Sequence, residues 1–254
     1  MLAPIRDYLS PRDPQSSPLL GTTRDHYFSR LSVDVDHDKP GFGETQWLAS
    51  EDVNVEHLLD VSISFDQSSA DTWDTCFHFM RHLYWHKPRQ TILGPKVEAL
   101  PDDHRSKPKC LTELSQLFGR VGNYAERKRL LIHSLELERR PGNDSRVAET
   151  LLYLSDVNRL LNLYREGIQQ AKESLEVFER IGDTGGQARC LTDLARLLFD
   201  DKQLDAAENA ASRAIGLVPE GVLGMIPHSK GVNPQADNEL GVTGVPVTRE
   251  VDRA

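Results

Sequence analysis

Three histidines, His78, His82 and His86, recur at four-residue spacing and so line one face of a helix. Imidazoles in such a row are raw material for a zinc site, which needs ligands that converge on one ion. The outer two, however, lie about 12 Å apart at a helical rise of about 1.5 Å per residue, too far to share an ion. No cysteine or carboxylate completes the set, so the spacing predicts a solvated or partly stacked face and no metal site. Asp34-Val35-Asp36-His37-Asp38 begins like a calcium loop. Lys39 then occupies the sixth position, where glycine makes the sharp turn, and Thr45 the twelfth, where a bidentate glutamate belongs. It reads as an acidic loop. For nucleophilic catalysis there is neither a Gly-x-Ser-x-Gly elbow nor a cysteine beside a histidine in a recognisable context. The glycines at 221 and 224 lead to Ser229-Lys230 without the Gly-Lys-Ser order of a phosphate-cradling loop. The expectation is therefore no catalytic residue, no cofactor site and no enzyme activity.

Composition narrows the classes further. A formal net charge of −9 over 254 residues argues against the broad basic surface by which proteins neutralise phosphates. Nucleic acid and anionic membrane are poor partners for such a chain. Cys76, Cys110 and Cys190 form no C-x-x-C pair and are too few for a disulfide framework, which fits a reducing compartment and small apolar fillers. No run approaches the ~20 apolar residues that span a bilayer, and Met1-Leu2-Ala3-Pro4-Ile5-Arg6 lacks the apolar core of a signal peptide. Asn143-Asp144-Ser145 matches a glycosylation sequon, but without a secretory signal it should stay unmodified. The expected location is cytoplasmic.

The elements that position any site come from an internal repeat of 40 residues. Its aligned columns are Leu111, Leu151 and Leu191; Leu114, Leu154 and Leu194; Leu117, Val157 and Leu197; Tyr124, Tyr164 and Leu204; Leu135, Leu175 and Ile215. Within a copy, spacings such as Leu111, Leu114, Leu117 and Phe118 mark one stripe of an amphipathic helix. Polar breaks follow at Gly122-Asn123, Asn162 and Asp201-Lys202-Gln203, and a second amphipathic segment runs on from each. Each copy reads as helix, tight turn, helix. Small residues recur where paired helices must approach closely: Ser115, Ser155 and Ala195, and again Ser134, Ser174 and Ala214. The leucine–small pairing and the turn Gly122-Asn123-Tyr124-Ala125-Glu126 resemble the tetratricopeptide signature, although the copies exceed its usual ~34 residues by about six. The surplus falls around Pro141-Gly142-Asn143-Asp144 and Gly182-Asp183-Thr184-Gly185-Gly186, predicting longer helices or linkers there.

The fold expected is all-α: a tetratricopeptide-like, right-handed solenoid of helical hairpins over residues 105–219. A helical N-terminal cap over 51–104 precedes it, an irregular segment occupies 1–50, and a disordered tail 220–254. In the cap, Ser50 or Asn54 is the expected N-cap of a helix, after an extended stretch at residues 45–49. The aromatic stripe Trp73, Phe77, Met80 and Tyr84, with Trp85 beside it, reads as core that seals the first turn of the repeats.

The order Ile5-Arg6-Asp7-Tyr8-Leu9, His26-Tyr27-Phe28-Ser29-Arg30-Leu31, Asp52-Val53-Asn54-Val55-Glu56-His57-Leu58-Leu59, His82-Leu83-Tyr84-Trp85-His86 and then repeats resembles the region after the NTPase module of fungal NACHT or NB-ARC proteins. The resemblance spans about Met1 to Leu217. It implies that residues 1–50 are a winged-helix remnant, and that the chain is a sensor half, or a regulatory piece acting on an NTPase module in cis or in trans. ATPase activity is not carried over, because no Gly-x-x-x-x-Gly-Lys-[Ser/Thr] occurs.

In tetratricopeptide arrays the first helix of each pair lines the concave groove. That analogy selects Lys109, Thr112, Gln116 and Arg120, then Glu149, Tyr153, Asp156 and Arg159, then Arg189, Thr192, Asp193 and Arg196. Five of these are basic in an acidic chain, which suits an acidic protein or peptide segment held by charge-assisted hydrogen bonds. The second helix of the last copy carries Ala206, Ala207, Ala210, Ala211 and Ala214, a face shaped for another helix. An open edge there predicts a truncated longer array, or cover by a partner or second copy.

Overall fold

The computed structural model describes residues 25–26, 45–139 and 142–217. The acidic loop at 34–38, most of the proposed winged-helix segment and the tail after 217 lie outside the described residues. From residue 45 onward the described elements are nine helices: α1 Thr45–Phe65, α2 Ala70–His86, α3 Gly94–Ala99, α4 Lys107–Arg120, α5 Tyr124–Glu138, α6 Asp144–Leu160, α7 Tyr164–Ile181, α8 Thr184–Asp200 and α9 Leu204–Leu217. The last six are the three helical hairpins that the period predicts, and consecutive helices pack on one another. The architecture is an all-helical, tetratricopeptide-like solenoid.

Local chemistry explains the boundaries. Ser69, Asn123 and Asp183 accept from the backbone N–H of Thr72, Glu126 and Gly186 at 3.3, 3.2 and 2.9 Å, satisfying donors that the first turn of a helix leaves free. Inside each hairpin one residue takes positive φ: Gly122 at 80°, Asn162 at 58° and Lys202 at 65°. The N–H of the next residue reaches back five positions, Asn123 to Phe118, Leu163 to Asn158 and Gln203 to Leu198, at 2.8–2.9 Å. The three polar breaks are thus one turn, built three times on the same pair of backbone bonds. Between hairpins, Gly182 at φ 74° ends α7 and Asp183 at once caps α8, so Gly185 and Gly186 are helical and no linker forms. At this junction the surplus residues went into longer helices, whereas five residues separate α5 from α6 at the other. Gly186 is there for close approach, since a Cβ on it would meet the Phe178 ring at 2.3 Å.

The leucine columns form the interior. Residues 111, 151 and 191, 114, 154 and 194, and 117, 157 and 197 are all buried. The serine columns do more than save space. Ser134 Oγ donates to Pro108 O at 2.8 Å and Ser174 Oγ to Ala148 O at 2.6 Å, one repeat apart. Each ties the second helix of a pair to the first turn of its partner. In the third pair Ala214 has no hydroxyl to give.

Two expectations about the flanks change. α1 starts at Thr45, so residues 45–49 are helical and neither Ser50 nor Asn54 is an N-cap. Asn54 instead donates to Glu51 within the helix at 2.6 Å. The acidic side of α1 fixes the chain after α2: buried Asp52 pairs with Lys87 and Arg89, and buried Glu56 with Arg89 at 2.7 Å and with the N–H of Ile92 at 3.0 Å. In α9, Ala207, Ala210 and Ala214 are already buried against the helix before them, while Ala206 is exposed. Three of the five alanines therefore serve packing already present.

Candidate functional site

Four helices, α2, α4, α6 and α8, line a cavity of about 330 Å³, with Arg127 of α5 also in its wall. Nine of the twelve groove residues selected from the sequence line it: Lys109, Thr112, Gln116, Glu149, Tyr153, Asp156, Arg189, Thr192 and Asp193. Arg120, Arg159 and Arg196 are not in its wall. Arg120 lies over the Tyr84 ring at 5.4 Å, Arg159 faces Asp156 and Asp200 at 3.5 and 3.6 Å, and Arg196 faces Asp193 at 3.6 Å.

Sequence reasoning missed several parts of the wall, Arg127, Arg146 and Leu152 among them. α2, read only as core, divides its stripe: Trp73, Met80 and Tyr84 are buried, while Phe77, Trp85 and one side of Tyr84 line the cavity with Arg81. A further omission, Glu113, was legible, because adding one period of 40 residues gives Tyr153 and then Asp193. These three side chains form one row across α4, α6 and α8, just before the central leucine of each helix.

Most of the positive charge in the wall is paired off by carboxylates. Lys109 pairs with Asp74, Arg127 with Asp156 at 2.9 Å, Arg146 with Glu138 at 3.0 Å and Arg189 with Glu149 at 3.9 Å. In the row itself Asp193 is buried and Glu113 and Tyr153 are half-buried. Burial pushes the Glu113 carboxyl up to about 7, helped by Glu149 and opposed by Arg81 and Arg146. Burial and the neighbouring Asp156 push Asp193 up to about 6 against the pull of Arg196, Arg159 and Arg189. The Tyr153 phenol is raised as well, by burial first and by Glu113 and Glu149 next.

Other candidate chemistry resolves into packing. His82 and His86 stack at 4.6 Å, and burial followed by His86 lowers His82 to about 4, leaving an uncharged stack at neutral pH. Among the described residues no group of three or more His, Cys, Asp or Glu is placed to hold a metal ion. All three cysteines are buried free thiols. The Cys76 thiol is raised by its hydrogen-bonded neighbour Cys110 and by burial, and Cys190 is pushed up to about 12 by burial, so both are protonated and unreactive at neutral pH. Among the described residues no helix is long and apolar enough to cross a membrane.

A stack of helical hairpins with a cavity walled by their first helices defines a tetratricopeptide-type solenoid. Residues 146–220, spanning α6 to α9, match the tetratricopeptide-repeat family model. Two solved structures of nearly identical TPR-like repeats from a candidate kinesin light chain of Podosopora anserina share the fold. One, carrying a single substitution, has 11% identity and TM-score 0.53 over 78% of this chain and 94% of its own. The other has 10% identity and TM-score 0.53 over 82% and 98%. BtubC (BKLC) from P. vanneervenii aligns at 12% identity and TM-score 0.47 over 94% of this chain and 83% of its own. No curated protein matches the sequence.

Proposed function

We propose that this chain is a non-enzymatic binding module that receives a segment of another protein in the cavity between α2, α4, α6 and α8. One observation carries the reading: the cavity is walled by successive first helices rather than by one hairpin, so a bound segment would touch several pairs at once. Interaction with proteins is also what tetratricopeptide repeats offer in general, and it accords with residues 51–104 serving as a cap and 105–219 as the recognition array.

Selection of peptides from a display library on the full chain, followed by Thr192→Trp, tests the reading. Thr192 lines the cavity and its hydroxyl donates only to Ala188 O of its own helix, so an indole there fills space without removing a tertiary bond. Selected peptides should lose at least about tenfold in affinity with helical content unchanged. Peptides that bind the variant equally would place recognition elsewhere.

A second reading has its own support. Phe199, Leu204 and Ile215 are 57–59% exposed at the end of the array, which favours self-association or cover by a partner along that edge. Membership of a NACHT- or NB-ARC-type signalling assembly, a fungal origin and a cytoplasmic location rest on the sequence motifs and cysteine usage alone. α1 and α2 carry two of those motifs. An acidic ligand draws no support from a cavity whose lysine and arginines are largely paired.

A further inference from the structure

We propose that the row Glu113, Tyr153 and Asp193 is a subsite for the lysine or arginine side chain of a bound peptide. The inference rests on the cavity being the binding surface, and it gives that surface a chemical preference opposite to the one its basic residues suggest.

The cavity's charges divide into two kinds. Lys109, Arg127, Arg146 and Arg189 each have a carboxylate within ion-pair distance, whereas Arg81 of α2 has none among the described residues. Glu113 differs: among the described residues no hydrogen bond or ion pair reaches its carboxylate, and Arg81 of α2 acts on it only at longer range. Asp193 faces Arg196 alone, at 3.6 Å, and accepts no hydrogen bond from the described residues. The Tyr153 hydroxyl between them is likewise without a hydrogen-bond partner among those residues. Drawing a carboxylate out of water is costly, and half-buried Glu113 and buried Asp193 both shift in the direction that expresses that cost, despite Arg81 near the one and Arg196 beside the other. A cation entering the cavity removes it. Guanidinium and ammonium groups bring several donors to two carboxylates and a phenol, and the phenol ring adds an aromatic face.

An independent observation concerns the opposite need. Gln116 is 8% exposed and Arg127 3%, both line the cavity, and Gln116 Nε2 and Arg127 Nε are buried donors with no acceptor. The orientation of the amide follows from its oxygen, which accepts from Arg127 at 3.3 Å. Donors left open beside acceptors left open describe a ligand with both, as a peptide has in its carbonyls and a basic side chain. An acidic side chain would answer the donors and aggravate the carboxylates.

Pools of capped dodecapeptides, each with one position fixed as Lys, Arg, Asp, Glu or Leu, are titrated into the full chain and followed by fluorescence anisotropy. Lys- or Arg-fixed pools should bind at least about tenfold more tightly than Asp- or Glu-fixed pools. In the isosteric double variant Glu113→Gln, Asp193→Asn the preference should fall to within about twofold, with Leu-fixed pools unchanged and thermal unfolding intact. Acidic pools that match basic ones, or a preference that outlasts the double substitution, overturn the inference. If Thr192→Trp still abolishes pool binding in that case, the binding cavity stands and only its chemical preference is wrong. No binding by any pool would count against both.

Discussion

The first and third hairpins are built on the same columns and reach different ends. In α5, Leu135 is buried beside Leu151 and Leu154 of the following pair, and Leu175 of α7 is buried in the same way with Cys190 and Leu191. Ile215, their equivalent in α9, is 57% exposed, and Leu204, equivalent to Tyr124 and Tyr164, is 58% exposed. A column in the sequence therefore marks where a neighbour could be covered. Burial is supplied by the neighbour itself.

The largest test of that difference compares truncations in one sequence class. Leu154 is 1% exposed, so Leu154→Ala should cost about 2–5 kcal/mol through lost transfer energy and an unfilled cavity. Leu114→Ala and Leu194→Ala should fall in the same range. Ile215→Ala should cost less than about 0.5 kcal/mol, as expected for an exposed site. Chemical denaturation measures all four. An Ile215 cost equal to that of Leu154 would mean that the edge is covered in solution, by a second copy or by chain beyond residue 217.

This contrast also locates what was legible in the sequence. The hairpins, their turns and the leucine interior follow from the 40-residue period, because helix pairing is local and repeats by translation. Nine of the twelve groove positions line the cavity for the same reason. The charge balance was not legible: Asp74, Glu138 and Asp200, which engage Lys109, Arg146 and Arg159, sit outside the helix faces selected for the groove. Nor was the division of α2, since Phe77 and Trp73 differ by one helical turn and only the packing of α1 and α4 decides which faces the core. The beginning of α1 escaped because Ser50 and Asn54 are both good caps that lie inside a helix opened upstream.

A smaller effect separates the hairpins by titration. Glu113 in the first is pushed up to about 7 and Asp193 in the third to about 6. Both folded values lie above the ordinary 4.5 and 3.8, so the native state holds more protons than the unfolded chain across that window. Stability should fall as pH rises from about 4 to about 7 and level off above it, by on the order of 1 kcal/mol for each group after solvent screening. Glu113→Gln should remove the upper part of this slope and Asp193→Asn the lower. Urea midpoints at successive pH values read both. A slope unchanged in Glu113→Gln would show that its carboxyl is solvated, and the row would lose its first member.

The smallest effect lies in the turns, where the same backbone is made from three different residues. At Gly122 the positive φ carries no steric cost, and at Asn162 the short polar side chain tolerates it. Lys202 adopts φ 65° with a full Cβ, a conformation that costs an L-residue about 1–2 kcal/mol. Glycine relieves that strain and gives back part of the gain through the greater freedom of the unfolded chain. Lys202→Gly should therefore stabilise by about 0.5–1 kcal/mol, seen as a higher urea midpoint with an unchanged slope. Gly122→Ala, which forces Cβ onto the same backbone with nothing within 4 Å to clash, should cost a similar amount. If Lys202→Gly were instead destabilising, the lysine would be contributing more through its contact over the Phe199 ring at 5.9 Å than the turn loses to strain. The third hairpin would then hold its exposed end with side-chain contacts that the first does not need.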